Sequence, residues 1–178
     1  MPISPRLRKL ALTAHVTSSV GWLGAVLAYL APAIVGLTRE DAQQVRAAYL
    51  ALELIGWYVI VPCSLAALLT GLVQSLGTAW GVFRHYWVLV KFLLTLVATS
   101  ILLMHMRTVS RMADLAAEMT LPGSDFSMLR RQLVVHAVGG LLVLLTATVL
   151  SIYKPWGRTP YGRRKQLQGV AQAEPPRR

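Results

Sequence analysis

Charged residues are scarce in this sequence, and their scarcity sets the first limit on what the chain can be. Only 14% of the 178 residues are Asp, Glu, Lys or Arg, whereas 55% are apolar. Soluble domains carry about a quarter charged residues, so the composition excludes an ordinary soluble protein of this size. The single cysteine, Cys63, excludes a disulfide framework and a Cys-x-x-Cys haem-attachment motif.

Acidic residues are the scarcer of the two charge types, with seven Asp and Glu against 18 Lys and Arg. The sequence also has no phosphate-cradling glycine loop, no acidic metal cluster and no evident nucleophile–base pair, which argues against hydrolases and nucleotide-driven pumps. The net charge of +11 does not predict nucleic-acid binding. Its basic residues flank apolar segments, as they do in membrane proteins.

Four apolar segments are long enough to cross a bilayer, at about 10–37, 49–76, 86–106 and 132–153. They predict an all-α integral membrane protein, an antiparallel four-helix bundle that forms one domain over residues 1–178. The polar stretch between the third and fourth segments is expected to be an exposed loop with one short surface helix. The basic tail, 154–178, is expected to be partly disordered.

The basic residues also predict an orientation. With four spans, twelve of the 18 Lys and Arg residues lie on the side of the two termini and six on the other. By the positive-inside rule, both termini are expected to be cytoplasmic and the protein to be multi-pass in the plasma membrane. Glu53, one turn inside the second span, is expected to pair with Arg107, Arg130 or Arg131, because an unpaired carboxylate in lipid is costly.

Four histidines are the only lead to chemistry. On the predicted topology His15 and His85 form an inner pair, and His105 and His136 form an outer pair near the ends of two adjacent spans. Membrane bundles hold haem between opposed imidazoles, so His15, His105 and His136 are candidate ligands of a haem b iron. His85 lies among interfacial aromatic residues and is a weaker candidate. Each histidine could equally satisfy only local hydrogen bonds.

Two further features of the helices bear on whether the bundle could hold a haem. Trp22 lies seven residues after His15 and therefore on the same helical face, where it would wall the cofactor or simply fill the core. Gly139 and Gly140 follow His136 and leave space for a flat ligand or another helix.

Copper is the alternative metal. Met104 and Met106 flank His105, and thioether sulfur is a soft ligand suited to Cu(I). Alternate residues of a helix point in different directions, however, so both methionines could join His105 only if the helix unwound. Apolar gap-filling is the competing explanation for these methionines.

His15, Trp22 and Gly24 form an H-x6-W-x-G pattern that resembles the opening of several groups of small bacterial membrane proteins. These are the copper-resistance-D-like group, the membrane-bound protoporphyrinogen oxidase that binds haem b, and an uncharacterised family of four-span integral membrane proteins. Over most of its length, including AHVTSSVGWLGAV, SLGTAWGVFRHYWVLVK and YKPWGRTPYGRRK, the chain is most similar to the last. The resemblance to the haem oxidase implies roles for His15 and Trp22, and loosely for Lys91. The resemblance to the copper group implies roles for the three pattern residues alone.

Three functions therefore stand at this point. The first is a haem-b-binding redox bundle, which as an enzyme would be a membrane oxidoreductase. It would pass electrons between a quinone or soluble donor, or another membrane redox protein, and the outer face. The second is a copper-handling or transport protein. The third is a cofactor-free structural protein whose only certain partner is the lipid bilayer.

Overall fold

The computed structural model describes residues 4–77, 81–118, 127–155 and 157–173. Within these ranges the chain is helical and contains no β-strand, only an isolated backbone bridge between His85 and Arg158. The elements in chain order are α1 (Pro5–Thr38), α2 (Ala42–Ile55), a π-helical turn (Gly56–Ile60), α3 (Val61–Gly77), α4 (Tyr86–Ala117), α5 (Ser127–Tyr153) and α6 (Pro160–Ala173).

Four stretches of the described chain are long and apolar enough to cross a membrane: Pro5–Thr38, Ala42–Leu76, Tyr86–Ala117 and Ser127–Tyr153. The second runs from α2 through the π turn into α3. The prediction of an all-helical chain with four candidate membrane spans is thus confirmed, and these helices indicate a multi-pass membrane protein.

Helix α1 is the centre of the packing. It contacts α2, α3 and α5, and small residues such as Ala25, Ala33 and Gly36 on its buried face let those helices approach closely. At Gly36 the approach is closest, because a Cβ there would lie 2.9 Å from the ring of Tyr49 on α2. The Tyr49 hydroxyl donates to the Gly36 carbonyl at 2.9 Å, which satisfies an orphan acceptor in the last turn of α1.

The π turn ends at Ile60, two residues before Pro62. Proline has no backbone N–H and its ring clashes with the carbonyl four residues earlier, so a regular α-helix cannot pass through this position unchanged. The Val61 amide instead donates to the Gly56 carbonyl, five residues back, which widens the helix where the proline enters. Gly56 also admits the side chain of Met106 from α4, since a Cβ at Gly56 would lie 2.5 Å from the Met106 methyl carbon.

Helix α4 is longer than expected. The sequence predicted that the third span ends at residue 106 and is followed by an exposed loop, but α4 continues to Ala117. The reason is a second apolar stripe at helical spacing, made of Val109, Met112, Ala113 and Ala116, each only 1% exposed. This stripe packs against α2, which itself begins at Ala42 and not at residue 49. The methionine at 119 and the Pro122–Gly123 break lie outside the described residues.

Within the tail, residues 160–173 form α6, a helix that the sequence did not predict, whereas the end of the tail, where disorder was expected, lies outside the described residues. The start of α6 is fixed to the connection before α4 by two bonds: the Thr159 hydroxyl donates to the Phe83 carbonyl at 2.5 Å, and the Thr159 amide donates to the Arg84 carbonyl at 2.9 Å. Thr159 caps α6 by accepting from the Gly162 amide. The adjacent prolines 175 and 176 lie outside the described residues.

The predicted ion pair of Glu53 is absent from the described part of the chain. Glu53 is half-buried, whereas Arg107 and Arg131 are exposed, and no described arginine forms a salt bridge with its carboxylate. Because α2 and α4 both extend beyond the predicted spans, Glu53 lies in the middle of a long helical pair and not at its edge.

The docking of α6 gives a test of the fold. A Cβ at Gly162 would overlap the backbone carbonyl oxygen of Arg84, whereas Gly157 has open space around it. We expect Gly162→Ala to displace α6 and to increase several-fold the rate at which trypsin cleaves at Arg163–Lys165. Gly157→Ala is the matched control and should be cleaved like the wild type. Equal cleavage of all three proteins would show that α6 does not depend on this contact.

Candidate cofactor site

Two cavities lie inside the bundle, and three of the four histidines line them. The first, of about 490 Å³, lies between α1, α3, α4 and α5 and contains His15. The second, of about 340 Å³, lies between α1, the π turn, α4 and α5 and contains His105 and His136. We name them the His15 cavity and the His105 cavity. Trp22, 4% exposed, lines both and forms a wall that they share.

His15 is held in a defined orientation. Its Nδ1 lies 3.0 Å from the carbonyl oxygen of Ala67 and 3.2 Å from the hydroxyl oxygen of Thr70, both on α3. A carbonyl can only accept, so Nδ1 carries the proton and Nε2 is left with its lone pair. The ring fits because residue 71 is glycine, where a Cβ would lie 3.0 Å from Cε1 of His15. Metal-ligating histidines usually make such a bond, to a backbone carbonyl or carboxylate, with the ring nitrogen that does not bind the metal.

Polar side chains line one part of the His15 cavity and apolar ones line the rest. Arg8 comes from the beginning of α1, Gln74 and Ser75 from the end of α3, and Lys91 from the first turns of α4. Lys91 is half-buried and donates to the Ser151 hydroxyl at 3.2 Å. The amide nitrogen of Gln74 is buried and has no hydrogen-bond partner in the described residues. The cavity therefore offers two cations beside an apolar wall.

His105 and His136 form a stacked pair. Their ring centroids are 4.2 Å apart and their planes differ by 4°. The Nδ1–H of His136 donates to the Gln132 carbonyl at 2.8 Å, a bond within α5 that leaves Nε2 of His136 as an acceptor. The structure thus brings together the two histidines expected to form the outer pair.

The stacking does not fit an opposed pair of haem ligands. Two axial imidazoles point one nitrogen each at the iron from opposite faces of the porphyrin. Parallel rings 4.2 Å apart leave no room for a macrocycle between them. His105 and His136 in this arrangement do not hold one haem iron between them, whereas His15 keeps a free nitrogen in a larger cavity.

Three of the buried polar atoms without a hydrogen-bond partner in the described residues belong to the His105 cavity. They are the hydroxyl oxygen of Tyr29 and both ring nitrogens of His105. Tyr29 is 4% and His105 is 8% exposed, and both line the cavity. Buried polar groups in native proteins are normally paired, so these three atoms are exceptions to that rule.

The remaining candidate residues are not brought together. His85 precedes α4 and lines a separate pocket with Arg84, Arg158 and Lys165, so it does not share a cavity with His15. Met104 is 73% exposed, whereas Met106 is 1% exposed and packs on Gly56. The two methionines therefore face different environments and do not surround His105. No group of three or more His, Cys, Asp and Glu residues suited to a metal ion occurs in the described ranges.

Comparison with protein-family models, with curated proteins and with solved structures finds no match.

Sequence reasoning missed Tyr29 and Gln74. Tyr29 lies seven residues after Trp22 and fourteen after His15, so the helical spacing placed it on the same face of α1. That signal was available. Gln74 had no comparable signal, because only the packing of α3 against α1 and α4 brings its amide to the His15 cavity.

The unpaired ring nitrogens of His105 lead to a prediction about thermal stability. Replacing a buried unsatisfied polar group by an apolar group of similar shape is neutral or stabilising. We therefore expect His105→Leu to melt in detergent at the wild-type temperature or above it.

Leu133→Ala is the reference substitution, because Leu133 is fully buried in the core. This substitution should lower the free energy of unfolding by about 2–5 kcal/mol. A melting temperature for His105→Leu as low as that of Leu133→Ala would show that the imidazole is a structural residue.

Proposed function

We propose that this protein is a haem-b-binding electron-transfer protein of the plasma membrane, with the haem in the His15 cavity. The observation that carries the proposal is the His15 imidazole, whose Nδ1 bonds to the Ala67 carbonyl and whose Nε2 is free within a cavity of about 490 Å³. Cofactor pockets commonly have volumes of about 300–1,000 Å³. Bound there, haem b would supply one-electron redox chemistry.

In this proposal His15 would hold the haem iron through Nε2. The bond from Nδ1 to the Ala67 carbonyl fixes the tautomer and raises the basicity of Nε2, as hydrogen bonds to ligating histidines do at other metal sites. Thr70 supports the same nitrogen, and its own hydroxyl donates to the Ala66 carbonyl at 2.5 Å. The position of His15 is therefore set by the backbone of α3 and does not need the cofactor.

The polar part of the cavity suits the two carboxylates of a haem. Arg8 and Lys91, which both line this cavity, supply positive charge. Charge-assisted hydrogen bonds to carboxylates are stronger than neutral ones. Trp22 and Leu144 on the apolar side would contact the macrocycle.

The orientation belongs to the same proposal. The bundle is antiparallel and both termini are cytoplasmic, as the distribution of Lys and Arg favours. Arg8 and Lys91 then lie towards the cytoplasmic side, and the His105 cavity lies towards the outer side. This arrangement would let an electron cross part of the membrane between the two halves of the bundle.

Copper handling has less support, because Met104 is exposed and Met106 is buried against Gly56. A cofactor-free structural role would leave Nε2 of His15, whose ring is oriented by the Ala67 carbonyl, without a function.

Absorbance spectra test whether the protein binds haem through His15. Protein purified in detergent after expression with a haem precursor should show a Soret band that shifts on reduction with dithionite. His15→Gly should lose the band, and added imidazole should restore it, because the deleted side chain leaves space for the free ligand. The control is His105→Leu, which should keep the band. A colourless wild-type protein that does not titrate haem would remove the proposal.

Reporter fusions test the orientation. A green fluorescent protein fused after Arg178 should fluoresce and alkaline phosphatase at the same position should be inactive, since the first folds only in the cytoplasm and the second only outside it. Fusion after Thr38, between the first two spans, should give the opposite results. Phosphatase activity after Arg178 would reverse the topology.

A further inference from the structure

A third pocket lies outside both cavities, between the connection that precedes α4 and the first turns of α6. Its volume is about 230 Å³, and the described residues that line it are Arg84, His85, Arg158, Gly162, Lys165 and Gln166. Three of these six side chains are permanent cations, and none is Asp or Glu. We name it the basic pocket, because its lining is suited to an anion.

Backbone contacts bring these residues together from distant parts of the sequence. The Thr159 amide donates to the Arg84 carbonyl at 2.9 Å, and a backbone bridge joins His85 to Arg158. On α6 the lining residues Gly162, Lys165 and Gln166 are spaced three and four apart, so they share the helix face that meets Arg84. Like charges repel, and a bound anion between them would relieve the repulsion.

The cations of the basic pocket are accessible to a molecule that arrives from outside the bundle. Arg158 and Lys165 are exposed, and Arg84 is half-buried. Guanidinium groups bind phosphate through two parallel hydrogen bonds, and lysine binds it as a point charge. The volume is below the range of about 300–1,000 Å³ that is usual for pockets that enclose a whole cofactor. A small anionic group such as a phosphate therefore suits this pocket.

The surroundings of the basic pocket indicate that the phosphate belongs to a lipid. The pocket lies beside the beginning of the candidate span Tyr86–Ala117, and α6 follows closely after the candidate span Ser127–Tyr153. Phe83, Tyr86 and Tyr161, each next in sequence to a pocket residue or one removed from it, are exposed. Exposed aromatic rings at the ends of membrane spans are typical of the headgroup level of a bilayer. Phosphates at that level are those of phospholipids.

We propose that the basic pocket binds the phosphate group of an anionic phospholipid, held between Arg84, Arg158 and Lys165. Basic pockets beside membrane spans bind the headgroups of anionic lipids in this way. The bound lipid joins α6 to the connection before α4 and fastens the C-terminal helix to the membrane surface. The proposal does not depend on haem, because no residue of the basic pocket lines the His15 cavity.

Native mass spectrometry of the protein in a neutral detergent tests the site, because it counts bound lipids and yields the affinity of the first one. The probe is phosphatidylglycerol. Phosphatidylcholine with the same acyl chains is the matched control lipid, since its choline group cancels the charge of the phosphate. We expect the first phosphatidylglycerol to bind at least tenfold more tightly than the first phosphatidylcholine.

Variants locate the site. Arg158→Gln and Lys165→Gln each remove one charge from the pocket and should weaken the binding of phosphatidylglycerol about fivefold, the loss expected for one basic residue at an anionic headgroup. Arg164→Gln is the matched control, because Arg164 is equally exposed on α6 and does not line the pocket. Detergent provides no extended anionic surface, so this variant should bind within about twofold of the wild type.

Trypsin cleavage at Arg163 gives a second measurement. A lipid that joins α6 to the connection before α4 should slow this cleavage several-fold in the wild type. Inorganic phosphate at the same concentration should not slow it, because the free anion has no acyl chains to hold it at the bundle. Without lipid, Lys165→Gln should be cleaved at Arg163 like the wild type, which shows that its loss of binding is not a loss of docking.

Three outcomes would overturn the proposal. Equal affinity for the two lipids would show that the headgroup charge is not recognised, and an equal loss in Arg164→Gln and Arg158→Gln would show a general effect of net charge. Equal protection by inorganic phosphate would assign the pocket to a free anion. The Soret band of the same preparations reports on haem separately, so colourless protein that binds phosphatidylglycerol removes only the haem proposal.

Discussion

Backbone and side-chain polar groups within a bilayer have no water to bind, and this constraint governs the whole structure. It requires the spanning segments to be helical. It also explains the π turn before Pro62, in which the Val61 amide donates to the Gly56 carbonyl. Side-chain hydroxyl groups are also paired within the helices, since Thr146, Thr148 and Ser151 each donate to the carbonyl four residues earlier. His136 and His15 also use backbone carbonyls, one within its own helix and one across to α3.

The exceptions are informative because the rule is followed so widely. Tyr29, Gln74, Thr99 and His105 carry buried polar atoms without a partner in the described chain, and all except Thr99 line one of the two cavities. A core built only for packing would put leucine or phenylalanine at such positions. Sites that break a local rule of stability are where function is expected, and the cavity proposed for the haem is one of these two.

The fold was largely predictable from sequence, whereas the site was only partly so. Four apolar segments identified four long helices, because length and hydropathy are local properties. The helix ends were predicted less accurately. The stripe from Val109 to Ala116 follows Arg107, and this charged residue led to the prediction of a loop where α4 continues. The pairing of His105 with His136 followed from adjacent spans, but their stacking did not. Orientation of a ring depends on side-chain packing, and neither the Ala67 bond to His15 nor the position of Gln74 has a sequence signature.

The position of Trp22 between the two cavities affects how a molecule bound in one cavity would influence the other. A single indole borders both, and it is almost fully buried, so its ring cannot turn or shift without altering the shape of each. If a molecule in one cavity favours one position of the ring, it changes the affinity of the other cavity, and thermodynamic linkage makes the change equal in both directions. Trp22, which the sequence pattern places on the same helical face as His15, would then be the residue through which occupancy of one half of the bundle affects the other.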